Sequence, residues 1–313
     1  MPRSRALPLL LLLLLPAFPV EAGEGVVLAP KRAVGDAERV EVESSLRQRI
    51  TLAMPSVSVH HTRLHEQRER RIFTDTVREL DEAGRVTAVE RTYERRRKGE
   101  RSSSAETLKL ESDALEGRRL ILRETRPAKE TARPEVEVRD AKTGEAVSPP
   151  EPLRVTEPFE LLLPTRAVKP GEGWTVKGPK LLALAGAGTD GVKAEAEATC
   201  KLTSVKNERP WPKRRPEGAA EPVATVAVTL TAKRTDAEGR TASFELKGTI
   251  RVAVKRRRLL AIELAGHATI RGERVEGEHR QTVQGRGKVS VQKWFNRPPA
   301  EDDDSGSGAK SSD

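Results

Sequence analysis

Residues 243–254 alternate apolar and polar side chains with period two. Phe244, Leu246, Gly248, Ile250, Val252 and Val254 fall on one face, and Ser243, Glu245, Lys247, Thr249 and Arg251 on the other. Two more stretches repeat the pattern. One sets Val226, Val228, Leu230 and Ala232 against Thr225, Ala227, Thr229 and Thr231. The other sets Leu260, Ile262, Leu264, Ala268 and Ile270 against Glu263, His267 and Thr269. A helix would scatter these apolar groups around its circumference, so the pattern predicts strands with one buried face.

The links between the strands point to antiparallel pairing. The tetrapeptides Asp81-Glu82-Ala83-Gly84 and Asp236-Ala237-Glu238-Gly239, and the longer Asp140-Ala141-Lys142-Thr143-Gly144, each run from Asp to Gly. Asp can accept from the turn's own backbone, and Gly tolerates the positive φ that closes it, so these read as hairpin turns. Val40, Val42, Leu46, Ile50 and Leu52 share parity and predict a long first strand. Residues 71–80 and 85–93 flank the first turn, and 118–124 and 135–139 read as shorter strands. Residues 60–71 are rich in helix formers, and 95–115 read as helix or loop.

The predicted fold is mainly β: antiparallel curved sheets or a half-barrel, as one long sheet or two tandem halves, with a few short helices over one mouth. The halves would span 35–165 and 166–297, after an N-terminal linker at 23–34. Pro149, Pro150, Pro152 and Pro158 stiffen the connection between them. A second Pro-rich loop spans 208–222. The Asp, Ser and Gly of 298–313 bury too little apolar surface to offset ordering entropy, so that tail reads as disordered.

Residues 1–22 change the picture by setting a compartment. Arg3 and Arg5 precede an apolar run over 7–15, and Val20-Glu21-Ala22 gives a small–x–small cleavage pattern. The run is far short of the ~20 residues that span a bilayer, and no later segment approaches that length. The expectation is an exported chain, periplasmic or secreted, with no transmembrane segment once the leader is removed. Cys200 is the only cysteine, so no internal disulfide is available. Its neighbours Ala198, Thr199, Lys201 and Leu202 read as a strand, which makes it a small buried core residue. Aromatic residues are 3% of the chain, so the core must come from Val, Leu, Ile and Ala.

Candidate chemistry is sparse. His60, His61 and His65 lie close together near Glu66 and Glu69, and two His four apart on a helix can share a zinc ion. The metalloprotease pattern fails, because Glu69 stands where its second His would be, and Arg63 between His61 and His65 disfavours a cation. These three are the candidates for a metal site, and a metal-dependent hydrolase is the remotest reading. No Gly–x–Ser–x–Gly elbow, phosphate-cradling Gly loop or Cys–His arrangement occurs. The chain is read as a non-enzyme without a cofactor.

The formal net charge is +10, with basic residues mixed among 47 acidic ones. Two local clusters stand out: Lys213, Arg214 and Arg215 beside Trp211, and Lys255, Arg256, Arg257 and Arg258 at a predicted hairpin tip. Aromatics are not interleaved with the charges as nucleic-acid binding would want, so no nucleic-acid partner is expected.

Leu161-Leu162-Leu163-Pro164, followed by Val168-Lys169-Pro170-Gly171-Glu172-Gly173-Trp174, resembles a recurring segment of a family of uncharacterised exported bacterial β-rich proteins. Arg71-Ile72-Phe73-Thr74-Asp75-Thr76-Val77 and Arg91-Thr92-Tyr93 resemble that family's first half. The resemblance implies tandem curved antiparallel sheets, distantly similar to the half-barrels of lipoprotein carriers, and assigns no catalytic residues. In physical terms, Gly171 and Gly173 would allow a tight turn that sets Trp174 over the end of a sheet.

The leading functional expectation is a binding module holding a lipid or other apolar ligand, or a partner, against inward rows Trp174, Phe244, Leu246, Ile250, Val252, Leu260, Ile262 and Leu264. The alternative is a structural, envelope-associated protein touching anionic polymer or lipid through the two basic clusters.

Overall fold

The structure is a computed structural model. It describes residues 25–54, 59–102, 107–125, 135–149, 153–156, 158–185, 193–211, 219–276 and 279–298. The leader at 1–22, the cluster Lys213, Arg214 and Arg215, and the tail after Pro298 therefore lie outside the described residues.

The alternating stretches are long strands of one antiparallel sheet. In chain order they are β1 (Ala37–Met54), β2 (Val59–Leu80), β3 (Val86–Arg101), β4 (Glu111–Ser112), β5 (Arg119–Thr125) and β6 (Glu135–Asp140). There follow β7 (Gly173–Lys177), β8 (Lys193–Glu208), β9 (Glu221–Thr235), β10 (Thr241–Ala253), β11 (Arg258–Glu276) and β12 (His279–Phe295). The sheet order is β6-β5-β3-β2-β1-β12-β11-β10-β9-β8-β7, with β4 paired to β3. The sheet is not closed into a barrel, and β6 and β7 are its edges.

Three turns follow from an Asp and a Gly. Asp81 Oδ1 accepts from the N–H groups of Ala83 and Arg85 at 3.0 and 2.8 Å, and Gly84 closes the turn at φ 75°. Asp236 accepts in the same way from Glu238 and Arg240 at 3.0 and 2.9 Å, with Gly239 at φ 78°. Arg85 and Arg240 then reach back to the same Asp through their side chains. The third turn repeats the scheme with Asp140 and Gly144.

The seam between the two halves joins the ends of the chain. β1 pairs with β12 from Val40 opposite Phe295 to Ala53 opposite Thr282, so both halves share one sheet. Two 3-10 turns, Pro158–Leu162 before β7 and Pro179–Ala185 between β7 and β8, lie on one face of the sheet, the inner face. Phe159, Leu162, Val168, Leu181, Leu182 and Leu184 are buried there in one cluster with the inward rows of the sheet. The N-terminal segment joins them, with Val26 bridged to Val168 and Leu28 fully buried.

Two expectations are corrected. Residues 60–71 lie in β2 and 95–101 in β3, not in helices. Their helix-favouring Arg and Glu form backbone ladders on both sides of β2 and pair across the strands, and these tertiary contacts outweigh local propensity. Leu260 does not share a face with Ile262 and Leu264. The register shifts from Arg251 opposite Ala261 to Val252 opposite Leu259, a bulge that inserts one residue into β11. Leu260 accordingly packs on the opposite face with Val223, Ala253 and Trp211.

Candidate functional site

The inner face divides along the strands into a capped end and an open end. At the capped end, Leu246, Ile250, Val252, Ile262 and Leu264 show no more than 1% of their surface to solvent. Gly248 and Gly266 let the rows approach closely: a Cβ on either would come within 1.8 Å of a carbonyl oxygen of the facing strand. Trp174, half-buried on β7, packs on this core and donates its indole N–H to the Leu162 carbonyl at 2.7 Å. Gly171 makes the turn before it at φ 89°. The cap thus fills the inner face at this end with side chains.

Towards the open end no described segment covers the same rows. Phe244 of β10, Ile270 of β11, Val283 of β12 and Leu46, Ile50 and Leu52 of β1 are inward in register but only half-buried. Ile50 and Ile270 flank Gly285, which has no side chain to fill the space between them. Together they form an apolar strip continuous with the sealed core. Of the expected ligand-facing residues only Phe244 belongs to it, so the site-forming residues that the sequence reading missed are Leu46, Ile50, Leu52, Ile270 and Val283. Their parity marked an inward face, but nothing local marked where the cap stops.

β2 lines one side of the strip with polar groups. His61, Arg63, His65, Gln67, Glu69 and Arg71 alternate onto the inner face, in register with Leu52, Ile50, Gln48, Leu46, Ser44 and Val42 of β1. His61 accepts from Arg63 Nε at 2.8 Å, and His65 Nδ1 lies 3.4 Å from Glu100 Oε1. His60 faces the other way and is exposed. Among the described residues no group of three His, Cys, Asp or Glu side chains could hold a metal ion.

At the capped end, beyond Val40 and Phe73 from the strip, charged groups are buried with partners. Arg91 grips Asp75 through Nε and a terminal nitrogen at 2.7 and 2.6 Å and lies 4.1 Å over the Phe73 ring. Lys293 lies 4.7 Å over Phe159 of the cap. Arg32 holds Glu38 at 2.6 Å and Glu160 at 2.9 Å, tying the N-terminal segment to sheet and cap. Burial pushes the Glu38 carboxyl up from its ordinary value, against the pull of Arg32. Cys200 sits in the sealed core, where burial pushes its thiol up to about 12.

The basic hairpin tip is largely spent within the chain. Arg256 pairs with Glu221, Arg257 donates to the Ala29 carbonyl at 3.0 Å, and Arg258 meets Asp36 at 2.5 Å. Arg257 adopts φ 49° to do so.

No family model and no curated protein matches the chain. Among solved structures, one described as "lipid-protein interactions in lipovitellin" aligns over 86% of this chain at TM-score 0.29 and 8% identity. This chain spans 26% of that one, and at such a score the likeness carries no argument about fold or ligand.

Proposed function

We propose that this protein is an exported, non-enzymatic module that holds an apolar ligand along the open end of its inner face. The reading is carried by the contrast between the ends of one face: the same inward rows that are sealed under the cap continue, half-exposed, as Phe244, Ile270, Leu46, Ile50 and Leu52. Exposed apolar surface joined to a core is favourable to cover, at roughly 25 cal/mol per Å² buried. Its rim of His, Arg and Gln on β2 suits a ligand with one polar end. The leader at 1–22 supports a site of action outside the cytoplasm. Contact with anionic polymer through the tip at 255–258 is less well supported, because three of its four cations already have partners.

The test is lipid extraction and native mass spectrometry of the protein purified from its own host, with uptake of the apolar dye N-phenyl-1-naphthylamine by delipidated protein. A copurifying apolar molecule, and dye uptake lost in Phe244→Ser and Ile50→Ser, are the expected results. Dye uptake unchanged in both folded variants would overturn the assignment of the site.

A further inference from the structure

The opposite, outer face of the sheet carries a basic field that the apolar-ligand reading does not use. Across the β1–β12 seam, Arg47 stands directly opposite Lys288, and Arg49 directly opposite Arg286. On the far side of β12, Arg286 neighbours Thr269, and Gln284 neighbours Arg271. All four seam cations and Arg271 are exposed. Like charges placed directly opposite each other in an antiparallel pair are destabilising.

Elsewhere on this face the chain supplies the counter-charges. Glu66 is held by Arg101 at 2.6 Å and Arg68 at 3.0 Å, and Glu41 by Arg70 at 3.1 Å. Arg47 touches Glu66 only at 3.9 Å. The side chains of Arg49, Arg271, Arg286 and Lys288 make no hydrogen bond or ion pair among the described residues. Among the described residues the repulsion at the seam therefore meets only the distant Glu66 carboxylate.

A shallow groove of about 670 Å³ continues this field over β9 to β12. Its lining includes Lys233, Arg271, Thr241, Ser243, Thr269 and Gln284, so cations stand among hydroxyls and an amide, with Glu273 the one carboxylate. Such a surface offers charge to anions and hydrogen bonds to neutral oxygens along the same track. No Phe, Tyr or Trp lines the groove to stack a base, and Trp294, at the far end of the β12 row, has Arg297 4.3 Å over its ring. The exposed large apolar residues, Val34, Leu110 and Leu161, lie elsewhere. This disfavours single-stranded nucleic acid and an inserted membrane surface.

We infer that the outer face, from Arg49 and Arg286 through the groove, binds an extended anionic polysaccharide whose acid groups meet the unpaired cations and whose hydroxyls meet the Ser, Thr and Gln side chains. The two faces of the sheet then serve different partners, with Val283 of β12 bordering both the strip and the groove.

The test is titration of the whole mature protein with heparin and with polygalacturonate at low and moderate salt. Binding to at least one polysaccharide is expected, weakening steeply with salt. Arg49→Gln/Arg286→Gln/Lys288→Gln should lose at least tenfold in affinity and flatten the salt dependence, whereas Lys255→Gln at the hairpin tip should bind as the parent does. If the triple variant does not fold, Lys288→Gln alone, on an exposed side chain, gives the same reading through a several-fold loss. Unchanged affinity in the folded variants would overturn the assignment, as would tighter binding of phosphatidylglycerol vesicles or single-stranded DNA than of either polysaccharide.

Discussion

The indole N–H of Trp174 is bonded to the carbonyl oxygen of Leu162 at 2.7 Å, fastening the first 3-10 turn to the edge strand β7. Trp174→Phe keeps most of the ring and removes the donor. It should lower stability by about 1–2 kcal/mol in urea unfolding, since the Leu162 carbonyl loses its partner. Hydrogen exchange should rise first in the amides of the cap, with the hairpins unaffected. Uniform exchange across the sheet would show that the bond does not hold the cap.

Arg91 and Asp75 form a two-bond pair beneath the Phe73 and Tyr93 rings. Asp75→Asn leaves a buried guanidinium without its counter-charge and should cost about 3–5 kcal/mol. Replacing both residues with Leu and Met should cost much less, because no uncompensated charge remains. Denaturant midpoints of the two variants decide it, and equal losses would contradict the account.

Glu66 titrates below the ordinary carboxylate range, chiefly because Arg101 donates to it, and the charges of Arg101 and Arg68 outweigh its burial. A depressed native pKa adds stability above the unfolded value of about 4.3, which is lost as pH falls through the native one. Melting temperatures of the parent should therefore fall between about pH 5 and pH 2. The gap between parent and Glu66→Gln should narrow over the same interval; a gap independent of pH would refute this role.

Cys200 has its thiol pushed up to about 12 by burial. At pH 8 about 10⁻⁴ of it is thiolate, so the native protein should resist dithionitrobenzoate for hours. Titration of one thiol only after addition of guanidinium is the expected outcome. Rapid labelling of native protein would place the side chain at the surface.

Much of the sheet was legible from the chain itself. Period-two alternation assigned the inner rows of β9 and β10 and, from Ile262 on, of β11, and the Asp-to-Gly turns joined β2 to β3 and β9 to β10 because their hydrogen bonds close within five residues. Lone Cys200 reads as core from its neighbours alone, and it is buried there. Those features are local, and a local pattern suffices to encode them.

Three decisive features are not local. The β1–β12 seam pairs residues some 240 positions apart, and Val40 meets Phe295 only because every intervening hairpin has brought them together. The bulge that turns Leu260 away from Ile262 depends on how β11 fits β10, since parity counted along β11 alone does not reveal which of its residues is left over in the pairing. Where the cap ends decides that Leu246 is sealed while Ile50 and Phe244 stay half-open, although all three carry the same inward signal. The sequence by itself determined which side chains share a face and where the chain turns back. The tertiary structure decided which part of that face is filled and which cations are left without partners, because burial and charge pairing are set by what strands distant in sequence place beside each residue.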